Sequence, residues 1–283
     1  ILAHPLRREI ITTHVVNSMI NRVGSTFVHR MQEETGARAP EVVRAYLIVR
    51  EVFGFVDLWR ALEALDYKVP DRVQTATIID GGRLIVRGTL WFLRNPAHLG
   101  DLTRSIERWR SGAERLASLL PALLPAPDKA AFAAAAGRLE KEGVPAALAQ
   151  RAAGFDAAFS ALDIVEVAAS LKRDIDSVAS VHFALAGELD FPWLRASIGR
   201  LAGDGHWHTL AKAALRDDLA GMLRALSEDV LSGSAADPIA AWKIRNAVLY
   251  ERFRQVLADL RGAESPDLAM LSVALRELRN LAR

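Results

Sequence analysis

An all-α fold, built as one or two antiparallel helical bundles, is predicted by three features of the sequence. Apolar residues recur at intervals of three and four, the spacing that places them on one face of a helix. Prolines precede and glycines follow many of these segments, the asymmetry expected of helix starts and stops. Strand signals are poor, because no Asn-Gly or Asp-Gly turn clearly joins two alternating runs.

The segment after Pro40 shows the helical pattern most clearly. Val42, Tyr46 and Val49 recur at steps of three and four and form an apolar stripe. Pro40 suits the first helical turn, where a missing backbone N–H leaves nothing unpaired. Gly54 ends the helix, because glycine readily adopts the left-handed conformation common at helix stops.

The same criteria place helices along nearly the whole chain. Asp80-Gly81-Gly82 resembles a hairpin turn, but the apolar residues around it fit a kinked helix at least as well. Short loops between the helices predict mostly antiparallel neighbours. The predicted helices span residues 5–34, 40–53, 55–66, 70–95, 98–124, 127–142, 145–171, 174–188, 190–202, 205–232, 237–262 and 266–283.

A weak internal repeat suggests two related bundles. At a shift of 136 positions, residues 40–65 fall on 176–201, and apolar positions such as Leu58 and Leu194 coincide. Chance similarity of two helical pairs and a true duplication are both open. We expect two domains, 1–125 and 126–283, or one continuous helical domain, with a junction near the Pro- and Ala-rich residues 121–136.

Composition and charge argue against several classes of partner and site. The 36 basic and 34 acidic residues nearly balance, and the arginines form no block with interleaved aromatics, so no nucleic-acid partner is expected. Without cysteine, disulfides and Cys-ligated zinc are excluded. No apolar run approaches the roughly 20 residues of a membrane span, and no leader peptide is visible. We therefore predict a cytoplasmic location and no membrane partner.

Few residues suggest a catalytic, metal-binding or nucleotide-binding site. His206 and His208, with Asp204, form the best metal candidate, but alternate histidines diverge on a helix, and a polar helix entry is the simpler interpretation. We interpret His182 as a hydrogen-bonded histidine on an apolar face. Asp163 and Glu166 share a helix face and are interpreted as structural salt bridges. No nucleotide-binding glycine loop is found.

A polar line interrupts the first predicted helix, whose other positions are mostly apolar. It is either a buried network between helices or an interdomain interface. Arg216-Asp217-Asp218 pairs carboxylates with an arginine, but consecutive helix residues point about 100° apart, so we expect ion pairs to other helices. The interface candidates are Arg7, Arg8, Asn17, Asn21, Arg22, Arg216 and Asp217.

Several motifs resemble one family. His4-Pro5-Leu6-Arg7-Arg8-Glu9-Ile10-Ile11, Asn21-Arg22, Arg50-Glu51-Val52-Phe53, Trp91-Phe92-Leu93-Arg94-Asn95 and Ala214-Leu215-Arg216-Asp217-Asp218-Leu219 are similar to the helical C-terminal part of large bacterial NAD-specific glutamate dehydrogenases. The resemblance extends over essentially the whole chain.

The resemblance implies a parent enzyme that oxidises L-glutamate to 2-oxoglutarate and ammonia with NAD. It also implies that the chemistry lies in a dehydrogenase core outside this chain, so no catalytic, cofactor-binding or metal residue is carried over. We expect a non-catalytic segment that is inactive alone, partners the core of the same polypeptide, and supports homo-oligomer assembly or regulation. A standalone helical interaction module, with a groove in the repeat, and a metalloenzyme at His206 and His208 are the alternatives.

Overall fold

The computed structural model describes residues 3–203 and 205–282, without the side chain of His206. Within these ranges the chain forms sixteen α-helices and one short 3-10 helix, Pro96–Leu99. No residue there lies in a β-strand, which confirms the all-α prediction. The helices are α1 Arg7–Val23, α2 Phe27–Thr35, α3 Ala39–Val52, α4 Phe55–Glu63, α5 Asp71–Arg94, α6 Leu102–Leu123, α7 Ala126–Lys141, α8 Ala146–Ala153, α9 Phe155–Ala158, α10 Ser160–Leu171, α11 Ile175–Glu188, α12 Phe191–Arg200, α13 His206–Ser232, α14 Pro238–Arg245, α15 Ala247–Gly262 and α16 Leu268–Leu281.

Three segments that were predicted as single helices are each divided into two or more helices, so those predictions were wrong. The segment 5–34 is two helices, because Gly24 adopts φ 90°, which an α-helix cannot contain. The segment 145–171 is divided into α8, α9 and α10. The segment 237–262 is divided at Asn246, whose φ of −109° and ψ of 22° leave the helical region.

Gly81 and Gly82 lie inside the uninterrupted helix α5, so the helical interpretation of this segment is confirmed over the hairpin. A Cβ atom at Gly81 would approach the ring of Phe55 to 3.1 Å. Glycine is therefore used here to let the aromatic ring of α4 approach the backbone of α5, at a cost of about 1 kcal/mol in helix propensity.

The chain divides into two compact units. Unit 1 comprises the residues up to Ser118 together with Phe132–Leu162, and unit 2 comprises Leu119–Ala131 together with the residues from Asp163 onwards. Compact units are not necessarily domains that fold separately. The domains 1–125 and 126–283 stay a prediction.

Unit 1 is organised around α5, which packs against α3, α1, α2 and α4. Its core is rich in aromatic rings. Phe27 of α2 meets Tyr46 of α3 edge to face at 6.1 Å between ring centroids. The rings of Phe92 and Trp109 meet in the same way at 5.2 Å.

Unit 2 is organised around α13, which packs against α11, α12, α14 and α16, while α15 packs on α16. Its core is mainly aliphatic, with leucines contributed by α11, α12, α13, α15 and α16. Trp242, Tyr250 and Phe253 are its buried aromatic residues from α14 and α15.

The sequence repeat corresponds to matching structure. At the shift of 136 residues, the bounds of α3 coincide with those of α11, and both α4 and α12 start at the matching residue. The connecting turn also matches: Gly54 has φ 59° and ψ 38°, and Asp190 has φ 58° and ψ 36°. Leu58 and Leu194, paired by the repeat, are both fully buried.

The match continues into the long helix that follows each pair, α5 in unit 1 and α13 in unit 2, at a shift of 138 residues. Eight positions that are buried in α5 are also buried in α13. The pairs are Thr77 with Leu215, Gly81 with Leu219, Leu84 with Met222, Ile85 with Leu223, Gly88 with Leu226, Thr89 with Ser227, Phe92 with Val230 and Leu93 with Leu231.

Among the helices of the described ranges, none has both the length and the apolar character needed to cross a bilayer.

Candidate functional site

The predicted polar line on α1 lies mostly on the surface. Arg7, Arg8, Asn17 and Asn21 are all exposed. In the whole of α1, Met19 is the residue buried against unit 1. The first two turns of the helix therefore present both polar and apolar side chains to the surroundings, among them Ile10 and Ile11.

Arg22 differs from the rest of the line. Its guanidinium pairs with the carboxylate of Glu63 and lies 4.7 Å above the ring centroid of Trp59. Both partners belong to α4, so Arg22 ties the end of α1 to the core of unit 1. A cation over an indole face is stabilising by about 0.5–2 kcal/mol depending on exposure.

The predicted group Arg216-Asp217-Asp218 does not converge on one point. Arg216 is exposed, Asp217 is half-buried and has an interaction partner, and Asp218 accepts a hydrogen bond of 2.9 Å from Arg279 of α16. The pair between α13 and α16 confirms the expected ion pairing to another helix.

His182 is buried in unit 2, with 2% of its surface exposed. Its Nδ1 lies 3.1 Å from Oγ of Ser227, and that hydroxyl donates a hydrogen bond to the carbonyl of Leu223. Burial, helped by the positive charge of Arg195, lowers the pKa of His182 to about 3. The interpretation as a hydrogen-bonded core histidine is confirmed.

Asp163 is also buried in unit 2, and its Oδ1 lies 3.6 Å from a guanidinium nitrogen of Arg224. A buried carboxylate needs a compensating charge, and the arginine on α13 supplies it. The predicted structural salt bridge at Asp163 is confirmed.

A three-residue polar cluster in unit 2 was missed from the sequence. Glu188, at the end of α11, accepts hydrogen bonds from Lys243 Nζ at 2.6 Å and from the hydroxyl of Tyr250. These hydrogen bonds lower the pKa of Glu188, and burial raises the pKa of Tyr250. Lys243 and Tyr250 lie 55 and 62 residues after Glu188, so no pattern of neighbouring residues predicts the cluster.

The hypothetical metal site cannot be placed as a whole, since Asp204 and the side chain of His206 lie outside the described residues. His208 lines a shallow cleft with Leu201, Pro266 and Asp267. No group of three His, Asp or Glu side chains suited to a metal ion occurs among the residues that the structure describes.

Comparison with known proteins identifies the family. The family model described as "Glutamate dehydrogenase, C-terminal" matches residues 1–280.

The chain belongs to this family.

Three relatives carry the name "NAD-specific glutamate dehydrogenase". This chain is 35% identical to the one from Pseudomonas aeruginosa, 33% to the one from Mycobacterium tuberculosis and 31% to the one from Halomonas elongata. Each alignment covers 99–100% of this chain but 18% of the relative. The chain therefore spans under a fifth of the length of the relatives it matches, within their C-terminal region.

Proposed function

We propose that residues 1–283 act as a non-catalytic helical region of an NAD-specific glutamate dehydrogenase, within a polypeptide several times longer. The observation that carries this is the alignment, which covers the whole chain and 18% of each relative. The reaction of the whole polypeptide is then the oxidation of L-glutamate to 2-oxoglutarate and ammonia, with NAD reduced to NADH at a core outside these residues.

The role of the region is to support assembly or to relay regulation to that core. Surface chemistry on α1 supports this role, because its first two turns combine exposed Arg7 and Arg8 with exposed Ile10 and Ile11. Mixed apolar and arginine-rich surfaces are typical of protein interfaces. The core of the same polypeptide is the proposed partner, with the homo-oligomer as the assembly and the cytoplasm as the location.

The first test is the size of the native polypeptide in its source cells, detected with an antibody to residues 1–283. A band several times larger than 30.9 kDa is expected. A band at the size of the chain itself would instead favour an independent helical protein and remove the dehydrogenase assignment.

The second test compares the full-length enzyme with a version lacking residues 1–283. We expect a changed oligomeric mass, measured by light scattering, or a changed response of the glutamate rate to effectors. Ile11→Glu in the full-length enzyme should reproduce part of that change, whereas Arg104→Gln, on the exposed surface of α6, should not. An unchanged mass, rate and effector response after deletion would contradict the proposed role.

The alternative of an interaction module with a groove in the repeat finds less support. The apolar faces of α3 and α11 are covered within their own units by α5 and α13. Val49, for example, is fully buried and lies within van der Waals distance of Gly88. A partner helix would have to displace these contacts to occupy such a groove.

A further inference from the structure

An apolar stripe lies on the outer surface of α14 and α15 in unit 2. Ile244 is 79% exposed and Val248 is 83% exposed, the highest values among the described large aliphatic side chains. Ala240 and Ala241, one turn earlier, are exposed as well. We call these four residues, Ala240, Ala241, Ile244 and Val248, the outer stripe.

The stripe faces away from the core of unit 2. Trp242, Tyr250 and Phe253 are buried on the opposite side of the same helices. The N–H of Asn246 bonds the carbonyl of Trp242 at the end of α14, and the N–H of Tyr250 bonds that of Asn246 at the start of α15. Ile244 before the break and Val248 after it are both exposed.

Helix α6, which lies in unit 1 up to Ser118, shows that an apolar residue is not needed at these positions. Helix α6 follows α5 as α14 and α15 follow α13, and at a shift of 137 residues four buried positions coincide: Ser105 with Trp242, Ala113 with Tyr250, Leu116 with Phe253 and Leu120 with Leu257. At that shift the outer stripe corresponds to Thr103, Arg104, Glu107 and Ser111, which are all exposed and all polar.

Two of the charged residues beside the stripe are neutralised within unit 2. Lys243 Nζ lies 2.6 Å from a carboxylate oxygen of Glu188, and a guanidinium nitrogen of Arg245 lies 2.7 Å from one of Asp229. The four residues of the stripe carry no charge and are flanked by these two ion pairs, while Glu251, three residues after Val248, is exposed. The stripe suits an apolar partner surface rather than an acidic or basic one.

From these observations we infer that the outer stripe is the docking surface for an apolar segment of the same polypeptide, outside residues 1–283. The inference rests on the proposed function, in which this chain is part of a longer dehydrogenase polypeptide, and deepens it by naming the contact surface.

Its size favours a segment of the same polypeptide over a second copy. A stable interface between separate chains uses about 20–30 residues on each side, and the stripe has four. A covalently linked partner is held at an effective concentration on the order of millimolar, so a small apolar contact is enough. The relatives show how much chain is available, because more than four-fifths of their length lies outside the alignment.

The absence of cysteine from this chain allows a direct test in the full-length polypeptide. Val248→Cys places a thiol in the stripe, and Ser111→Cys places one at the corresponding position of unit 1. Alkylation by a neutral reagent is followed by mass spectrometry of the labelled peptides. We expect the thiol at 248 to react at least about tenfold more slowly than the thiol at 111 in the native protein, and at the same rate after denaturation.

A second matched pair, Ile244→Cys and Glu107→Cys, separates protection from a local effect on thiol reactivity. Protection at 248 and 244 that is unchanged on hundredfold dilution supports a contact within one polypeptide. Protection that disappears on dilution means that a second copy covers the stripe and overturns the inference. Equally fast labelling of both members of each pair also overturns it, while leaving the proposed function intact. A native polypeptide no longer than residues 1–283 overturns both.

Discussion

In each unit a pair of helices joined by a short turn is followed by a long helix: α3, α4 and α5 in unit 1, and α11, α12 and α13 in unit 2. The side chains at the contacts between these helices differ between the two units. In unit 1 the third helix presents Gly88 to Val49 of α3, whereas in unit 2 the matching residue is the buried Leu226. Tyr46 of unit 1 corresponds to His182 of unit 2. The fold depends on which positions are buried, and it accepts different residues at those positions when their combined volume fits.

The two centres also differ in polarity. In unit 1 the ring of Phe27 packs on Tyr46. At a shift of 136 residues, Phe27 corresponds to Asp163 of unit 2, which pairs with Arg224, and Tyr46 corresponds to the hydrogen-bonded His182. Unit 2 therefore carries ionisable groups in its interior where unit 1 carries aromatic rings, and we expect the two units to respond differently to mutation and to pH.

The largest effect is expected for Leu226→Ala, at the position of unit 2 that corresponds to Gly88 of unit 1. Leu226 is fully buried. Deleting a buried leucine side chain lowers the free energy of unfolding by about 2–5 kcal/mol, because transfer free energy and packing are both lost. Hydrogen exchange read peptide by peptide should show the loss in α11 and α13. Equal loss in both units would contradict independent packing of the two centres.

Gly88→Ala should cost unit 1 about 1–2 kcal/mol. An added Cβ would lie 2.9 and 3.0 Å from the two methyl groups of Val49, and this clash outweighs the gain of about 1 kcal/mol in helix propensity. Val49→Ala removes both methyl groups. In a double-mutant cycle measured by denaturant unfolding, the double variant should lose less stability than the sum of the single variants. Strict additivity would show that the two residues do not meet.

Acidification should destabilise unit 2 through His182. Its pKa is about 3 in the folded chain and near 6.5 when unfolded, so the unfolded state binds the proton between these values. Stability is therefore present above pH 6.5 and is lost as the pH falls, by about 2 kcal/mol between pH 7.5 and 5. His182→Gln should remove that part of the pH dependence, measured by unfolding at several pH values. An imidazole that titrates near 6.5 in the folded chain by NMR would contradict the prediction.

The smallest effect concerns the turn that both units share. Gly54→Ala places a Cβ at a left-handed residue and 3.1 Å from the guanidinium of Arg151, so it should destabilise unit 1 by about 1 kcal/mol. Asp190→Gly removes left-handed strain but also the ion pair with Arg261, so the net change should be within about 0.5 kcal/mol. Thermal unfolding of the two variants measures this difference, and equal losses of stability would contradict the prediction.

For the candidate surface residues, sequence reasoning found positions but could not assign their surroundings. Arg7, Arg8, Asn17 and Asn21 are exposed, whereas Arg22 of the same line is held by Glu63 and Trp59. Helical spacing specifies which residues share a face, but it does not specify which neighbouring helix reaches that face. The interface assignment of these residues stays a prediction.

The sequence by itself determined the all-α fold, most helix starts and the helix–turn–helix that recurs at a shift of 136 residues, because apolar spacing and Pro or Gly at helix ends act over a few neighbouring residues. The tertiary structure alone decided the breaks at Gly24 and Asn246, the cluster of Glu188 with Lys243 and Tyr250, and the exposure of the outer stripe. The two breaks are set by the backbone angles of Gly24 and Asn246, which apolar spacing does not specify, and the cluster and the stripe depend on contacts between residues far apart in the chain. Local periodicity carries no information about such contacts.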